Sequence, residues 1–297
     1  MSRLTEGYFA RHYQGMRNAR DAAMLDIAQD HALYLLAEAG LFERGLVFKG
    51  GTALRKYRAG TSGRFSTDLD FAAADEALAL DVLGALDGVD THGFTFAIDN
   101  VGEDGRRGDL RVTTPFGSPN LGAKIELARH PLSLAPELLP PVPLPIHRAY
   151  GITVPTVPVV RLPEAVAEKL ARFRRVSLAR DLYDLQWFAL QGALDEPLVR
   201  RLWVLKTHRD IVDDGRGQGP IDPADVLRPR SAKEFDREDI GYLTQPVRMD
   251  QWIETVRARY AFLADLDDDE QRWCQCDRRD EYAVTAELRA IGLRDPQ

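Results

Sequence analysis

Apolar residues fall first into a helical rhythm over 17–39, where Ala23, Met24, Ile27, Ala28, Leu35 and Leu36 form one stripe and Gly40 supplies a stop. The period then shortens. Leu46-Val47-Phe48 reads as a brief buried strand, and Phe65-Ser-Thr-Asp-Leu-Asp-Phe71 alternates with period two, setting Phe65, Thr67, Leu69 and Phe71 on one face. Asp75 stands where it can cap a helix running to Leu86. Three further strand-like runs, 94–98, 110–114 and 121–127, are divided by GEDGRRGD and PFGSPN, so an antiparallel meander is expected.

Nine prolines between Pro131 and Pro163 end this pattern. A helix cannot run through them, because each removes a donor and crowds the preceding turn. The stretch reads as an extended connector with an edge strand over 152–160. Beyond it the helical period returns at 163–175, 178–191, 196–212, 248–266 and 270–291, around a polar Gly/Pro-rich loop at 213–246. The expected plan is α/β in an α+β arrangement: a mixed domain over 1–160, then a helical domain over 161–297.

Composition narrows this little. At 297 residues, 44% apolar and 29% charged, the chain suits a globular protein with room for two cores. No apolar run approaches the roughly 18 residues of a membrane span, and the N-terminus lacks the apolar segment of a secretory signal, so the cytoplasm is the expected compartment. The net charge is −7, divided about evenly around residue 155. That excludes a wholly basic nucleic-acid binder and requires any polyanion to meet a local patch. Cys274 and Cys276, one residue apart with no nearby histidine, suit neither a disulfide nor zinc, and an incidental role is expected.

The chemistry lies in the order of short motifs. Gly50-Gly51 ends the first strand and leads into Thr52-Ala-Leu-Arg55, a turn where an anion can approach bare backbone. Asp68 and Asp70 follow at alternating positions, about 7 Å apart with their carboxylates aimed the same way. Two acids so held repel unless a cation lies between them, and Mg²⁺ prefers one or two carboxylates plus phosphate oxygens. Glu126 has the parity to join them as a third ligand, although a Lys124–Glu126 ion pair explains the same spacing. Lys169, Arg172, Arg174, Arg175 and Arg180 place five cations in twelve residues without an acid among them, dense enough for a triphosphate or an RNA backbone. Asp181 and Asp184 follow one helical turn apart; Asp184 is a candidate base, or simply the i,i+4 partner of Arg180.

Taken together, Gly-Gly-Thr, Ser-x-Asp-x-Asp, Lys-Ile-Glu, Glu-Lys-Leu-Ala-x-x-Arg and Arg-Asp-Leu-Tyr-Asp-Leu resemble the ordered motifs of AbiEii-type nucleotidyltransferase toxins, MenT-like members of type IV-like toxin–antitoxin systems. The likeness covers roughly residues 30–190. It implies a polymerase-β-like nucleotidyltransferase domain with a mixed sheet, followed by a helical C-terminal domain that completes the active site. It further implies an NTP substrate, Mg²⁺ or Mn²⁺, transfer to the 3′ acceptor end of tRNA, a cognate antitoxin and no membrane partner. On that resemblance Gly50, Gly51, Thr52 and Ser66 contact phosphate, Asp68 and Asp70 hold metal with Glu126 as a third ligand, Lys169 with Arg55 binds the nucleotide, and Asp184 is catalytic. Arg172, Arg174, Arg175 and Arg180 would follow the RNA. Transfer to a protein hydroxyl, or a non-catalytic nucleotide-sensing module, are the competing expectations. Residues 192–297 match no motif.

Overall fold

The computed structural model describes residues 4–14, 16, 19–73 and 75–294, with only the backbone of residues 118–120. Its helices are α1 (Glu6–His12), α2 (Arg20–Glu38), α3 (Gly50–Leu54), α4 (Glu76–Gly84), α5 (Leu162–Arg175), α6 (Ala179–Ala189), α7 (Glu196–Val212), α8 (Ala224–Leu227), α9 (Met249–Arg259), α10 (Asp268–Trp273) and α11 (Glu281–Arg294). Its strands are β1 (Val47–Lys49), β2 (Leu69–Ala72), β3 (Val89–Thr91), β4 (Phe94–Asp99), β5 (Arg107–Thr114), β6 (Gly117–Ala128), β7 (Glu137–Leu139) and β8 (Val157–Val159). The chain divides into two compact units. The first comprises 1–131, 136–160 and 242–246; the second comprises 132–135, 161–241 and 247–297.

The first unit is built on one eight-stranded mixed sheet in the order β3-β4-β5-β6-β2-β1-β8-β7. The expected meander is present as antiparallel β4, β5 and β6. β6 then runs parallel to β2, and β1 parallel to β8. The segment over 152–160 is not an edge, because β7, unforeseen among the prolines, pairs outside it. Pro158 is tolerated in a strand of three residues where a longer ladder would need its missing N–H.

α2 is buried almost all round. Its expected start at Arg17 lies outside the described residues. It ends as Gly40 predicts: with φ +68°, Gly40 donates to Ala37 O and Leu41 donates to Leu36 O, closing the last turn. Asp75 accepts from Leu78 N at 2.7 Å and caps α4. Strand β2 begins four residues later than the alternation predicts. The carbonyls of Ser66 and Thr67 accept from Gln29, and that of Asp68 accepts from Thr52, so residues 66–68 run extended without a neighbouring strand. Thr67, expected on the buried face, is exposed.

The second unit is helical. α7 spans the expected 196–212, with Asp195 accepting from Leu198 N and Pro197 in the first turn. Lys206 of α7 is buried between Glu164 and Glu168 of α5; desolvation opposes its charge, but the two carboxylates outweigh it and raise its pKa. Glu164 also accepts from Ser133 N and Leu134 N, tying residues 132–135 to this unit. The single helix expected over 270–291 is broken. Cys276 adopts φ +57°, and Asp277 opens a fresh turn before α11. Both cysteines are free thiols, and burial pushes that of Cys274 up to about 12.

Candidate active site

The two glycines of the β1–α3 turn each make room for a different partner. Gly50 has φ +78°, and a Cβ there would lie 1.9 Å from Asp70 Oδ2. The Asp70 carboxylate therefore rests on bare backbone. At Gly51 a Cβ would lie 2.5 Å from Arg64 Nη2 and 3.1 Å from Ser66 Oγ. An acid thus lies over one glycine, and a guanidinium with a hydroxyl over the next. A larger residue at Gly50 would displace the Asp70 carboxylate, and one at Gly51 would push the Arg64 guanidinium aside.

Strand register continues the site sideways. Asp70 of β2 pairs with Lys49 of β1 on one side and with Glu126 of β6 on the other, and Glu126 pairs in turn with Arg107 of β5. Asp68 and Asp70 are both half-buried, while Phe65, Leu69 and Phe71 are buried, which is the alternation the sequence predicts for those positions. Asp68 accepts the Thr67 hydroxyl at 3.1 Å and has no ion-pair partner among the described residues. Their hard oxygens suit Mg²⁺ or Mn²⁺ supplemented by substrate phosphate. Among the described residues no three carboxylate, imidazole or thiol groups gather as a protein-only metal site requires. Glu126, expected as a third ligand, shares Asp70's row but does not complete such a cluster; neither does it form the alternative ion pair with Lys124.

Two expected phosphate contacts are spent elsewhere. Thr52 is fully buried and gives its hydroxyl to Asp68 O. Arg55 lies in the core: its Nε donates to Asp26 Oδ1 at 2.9 Å, its Nη1 to Gly63 O at 2.5 Å, and its guanidinium stacks on Phe65. Lys56 beside it spans Asp26 and Asp30, and His12 meets Asp26 at 2.7 Å. Burial pushes the Asp26 carboxyl up, but Arg55, Lys56 and the His12 bond outweigh that and hold it well below the usual range. These charges anchor the turn after the glycines to α2. Arg64, Ser66, Asp68 and Asp70 share parity, and alternation is the one sequence signal that groups Arg64 with the other three.

The second unit brings its own expected residues together. Lys169 Nζ lies 3.0 Å from Asp181 Oδ1 and 2.9 Å from Asp184 Oδ2, both acids being buried. The alternative reading of Asp184 as the i,i+4 partner of Arg180 does not hold among the described residues; Asp184 pairs with Lys169. The cationic run is largely neutralised. Arg172 meets Asp181 at 3.3 Å, Arg174 meets Asp225 at 2.8 Å and two backbone carbonyls, and Arg175 meets Asp210 at 3.3 Å. The sequence pattern hid this because Asp210 and Asp225 lie 30 or more residues away. Arg180 has no ion-pair partner among the described residues, and its Nε is buried without a hydrogen bond.

Comparison with known proteins then decides the family. The family model described as "Nucleotidyl transferase AbiEii toxin, Type IV TA system" matches residues 32–281. The chain belongs to the AbiEii nucleotidyltransferase toxins. Like other members it is a nucleotidyltransferase toxin of a type IV toxin–antitoxin system, which implies a nucleotide substrate and an antitoxin partner. The chain is 53% identical to MenT4, the nucleotidyltransferase toxin Rv2826c from Mycobacterium tuberculosis H37Rv, covering 97% of this chain and 99% of that one with a TM-score of 0.92. The mixed α/β fold is thereby that of a MenT toxin. Two structures from Helicobacter pylori are distant: a nucleotidyltransferase described as putative (17% identity, 81% and 97% coverage, TM-score 0.47) and JHP933 (16%, 88% and 97%, 0.46). A search of curated proteins returned no match. No helix among the described residues is long and apolar enough to cross a membrane.

Proposed function

We propose that this AbiEii toxin transfers a nucleotide from an NTP to the 3′ end of tRNA and so arrests translation in the cytoplasm. The observation that carries the catalytic part is the double-glycine turn. Cation-binding carboxylate and phosphate-binding guanidinium and hydroxyl are packed onto consecutive glycines, so the triphosphate and the acids that need a cation meet at one place. The tRNA acceptor rests on the family resemblance.

In the reaction the acceptor 3′-oxygen attacks the α-phosphorus in line, the bond to the β-phosphate oxygen breaks, and pyrophosphate leaves. The hydroxyl proton passes to Asp184 or to water. Asp68 and Asp70 would hold Mg²⁺ or Mn²⁺, which when bound stabilises charge on the transferring group. Arg64 and Ser66 bind phosphate over Gly51. Lys169 contributes a cation to the nucleotide after exchanging one of its two aspartates for phosphate, and Arg180 supplies a cation to the RNA backbone.

The test supplies α-labelled NTPs, Mg²⁺ and total RNA to the purified protein. Label is expected in tRNA and absent after periodate oxidation of its 3′ terminus. Label in protein would replace the acceptor with a protein hydroxyl, and no label in either would overturn the transferase reading.

A further inference from the structure

The backbone leading into β2 is held by a residue that lies in none of the motifs. Gln29 occupies the middle of α2, 1% exposed, on a helix otherwise committed to the core. Its Nε2 donates to Ser66 O at 3.0 Å and to Thr67 O at 2.9 Å. One amide group therefore closes two consecutive carbonyls, and the orientation follows from chemistry, since an oxygen in that place would face two acceptors. From the other side Thr52 donates to Asp68 O. Three successive carbonyls that a neighbouring strand would ordinarily satisfy are thus satisfied by two side chains. This is why β2 begins only at Leu69 and why Asp68 stands just outside the ladder.

The arrangement has a cost that packing alone does not explain. A buried amide is unfavourable unless bonded, and Gln29 Oε1 has no hydrogen-bond partner. A leucine or methionine would fill the same volume in the core. What neither can supply is a pair of donors at the backbone immediately before Asp68.

We infer that Gln29 is a positioning residue for cation binding: by clamping Ser66 and Thr67 it sets the spacing and direction of the Asp68 and Asp70 carboxylates. Thr52, expected from sequence to touch phosphate, forms the other half of the clamp and links the glycine turn to the acid strand. The inference rests on the proposed site at Asp68 and Asp70. Outer partners of metal ligands typically change metal affinity or activity about 10–100-fold when removed, and a clamp on the backbone acts through the same geometry.

Gln29→Met and Gln29→Glu test it, with two readouts beside transfer. The first is Mn²⁺ binding followed by electron paramagnetic resonance in the presence of a non-transferable NTP analogue. The second is thermal melting. For Gln29→Met the Mn²⁺ midpoint should rise about tenfold or more, kcat should fall at saturating NTP, and the melting transition should stay single and cooperative. In Gln29→Glu the introduced carboxyl can donate one hydrogen bond only while protonated, so Mn²⁺ affinity and transfer should recover relative to wild type as pH falls, and no such recovery should occur in Gln29→Met. A Mn²⁺ midpoint equal to wild type in folded Gln29→Met would overturn the inference, as would parallel pH profiles for the two variants. Asp68→Asn separates this from the underlying site. If Asp68→Asn binds Mn²⁺ normally, the site itself is misplaced; if it does not bind while both Gln29 variants do, the clamp alone fails.

Discussion

The two units treat their acids in opposite ways. At the start of β2, Asp70 and the preceding Asp68 are half-buried, and Asp68 has no ion-pair partner among the described residues. On α6, Asp181 and Asp184 are buried and both are bound to Lys169. A half-buried carboxylate such as that of Asp68, with no ion-pair partner to displace, is open to a cation. One buried against an ammonium group already has its counter-ion, and separating them would leave an uncompensated charge. On the proposed function Asp68 can take a cation without an ion pair being broken, whereas the pairs of Lys169 must open before it can serve a phosphate or Asp184 a proton.

The largest effect should come from disabling the half-buried pair. Asp68→Asn is expected to lower transfer on the order of 10²–10³-fold, as loss of a group that stabilises transition-state charge does, while melting is unchanged or slightly raised by relief of repulsion. Gly50→Ala should be equally inactive, because its Cβ would displace the Asp70 carboxylate. Near-normal transfer by Asp68→Asn would remove the contrast between the two units.

The buried charges should answer in stability instead. Asp26→Asn leaves Arg55 and Lys56 short of a counter-ion and should cost roughly 3–5 kcal/mol by denaturant titration. Because the folded-state pKa of Asp26 is depressed, its contribution is complete above the unfolded carboxylate range and is lost as pH falls through the folded value. Wild type should therefore lose stability on acidification over a range where Asp26→Asn loses less. Equal acid limbs for the two proteins would refute the assignment.

A finer division lies within the lysine's two partners. Asp181→Asn should raise KM for NTP about tenfold, the lower end expected for a supporting partner, with kcat little changed, since Lys169 loses the group that aims it. Asp184→Asn should lower kcat instead. The same kinetic signature in both would mean that the two acids act as one.

The smallest effect should be at Arg175, whose pair with Asp210 is partly solvated. Arg175→Ala should change stability by less than about 1 kcal/mol and leave tRNA affinity intact. Arg180→Glu, by contrast, should weaken tRNA binding and reduce its salt slope by about one. A slope that shifts with Arg175 rather than Arg180 would restore the open cationic track expected from sequence.

Much of this molecule was legible locally. Alternation placed Asp68 and Asp70 opposite Phe65, Leu69 and Phe71, Gly40 closed α2, Asp75 capped α4 and α7 kept its limits, because period, caps and glycine geometry act over a few residues. Motif order sufficed for the family. What remained hidden depends on partners distant in the chain. Arg55 reads as a phosphate ligand until Asp26 meets it, the run from Arg172 to Arg175 reads as open until Asp181, Asp210 and Asp225 neutralise it, and Gln29 is an unremarked polar residue until the carbonyls of Ser66 and Thr67 arrive at its amide. Sequence determines which groups are present and which face they share. Whether a charge is spent or available is decided only when folding removes water and brings its neighbours within a few ångströms, where Coulomb and hydrogen-bond energies become large enough to choose.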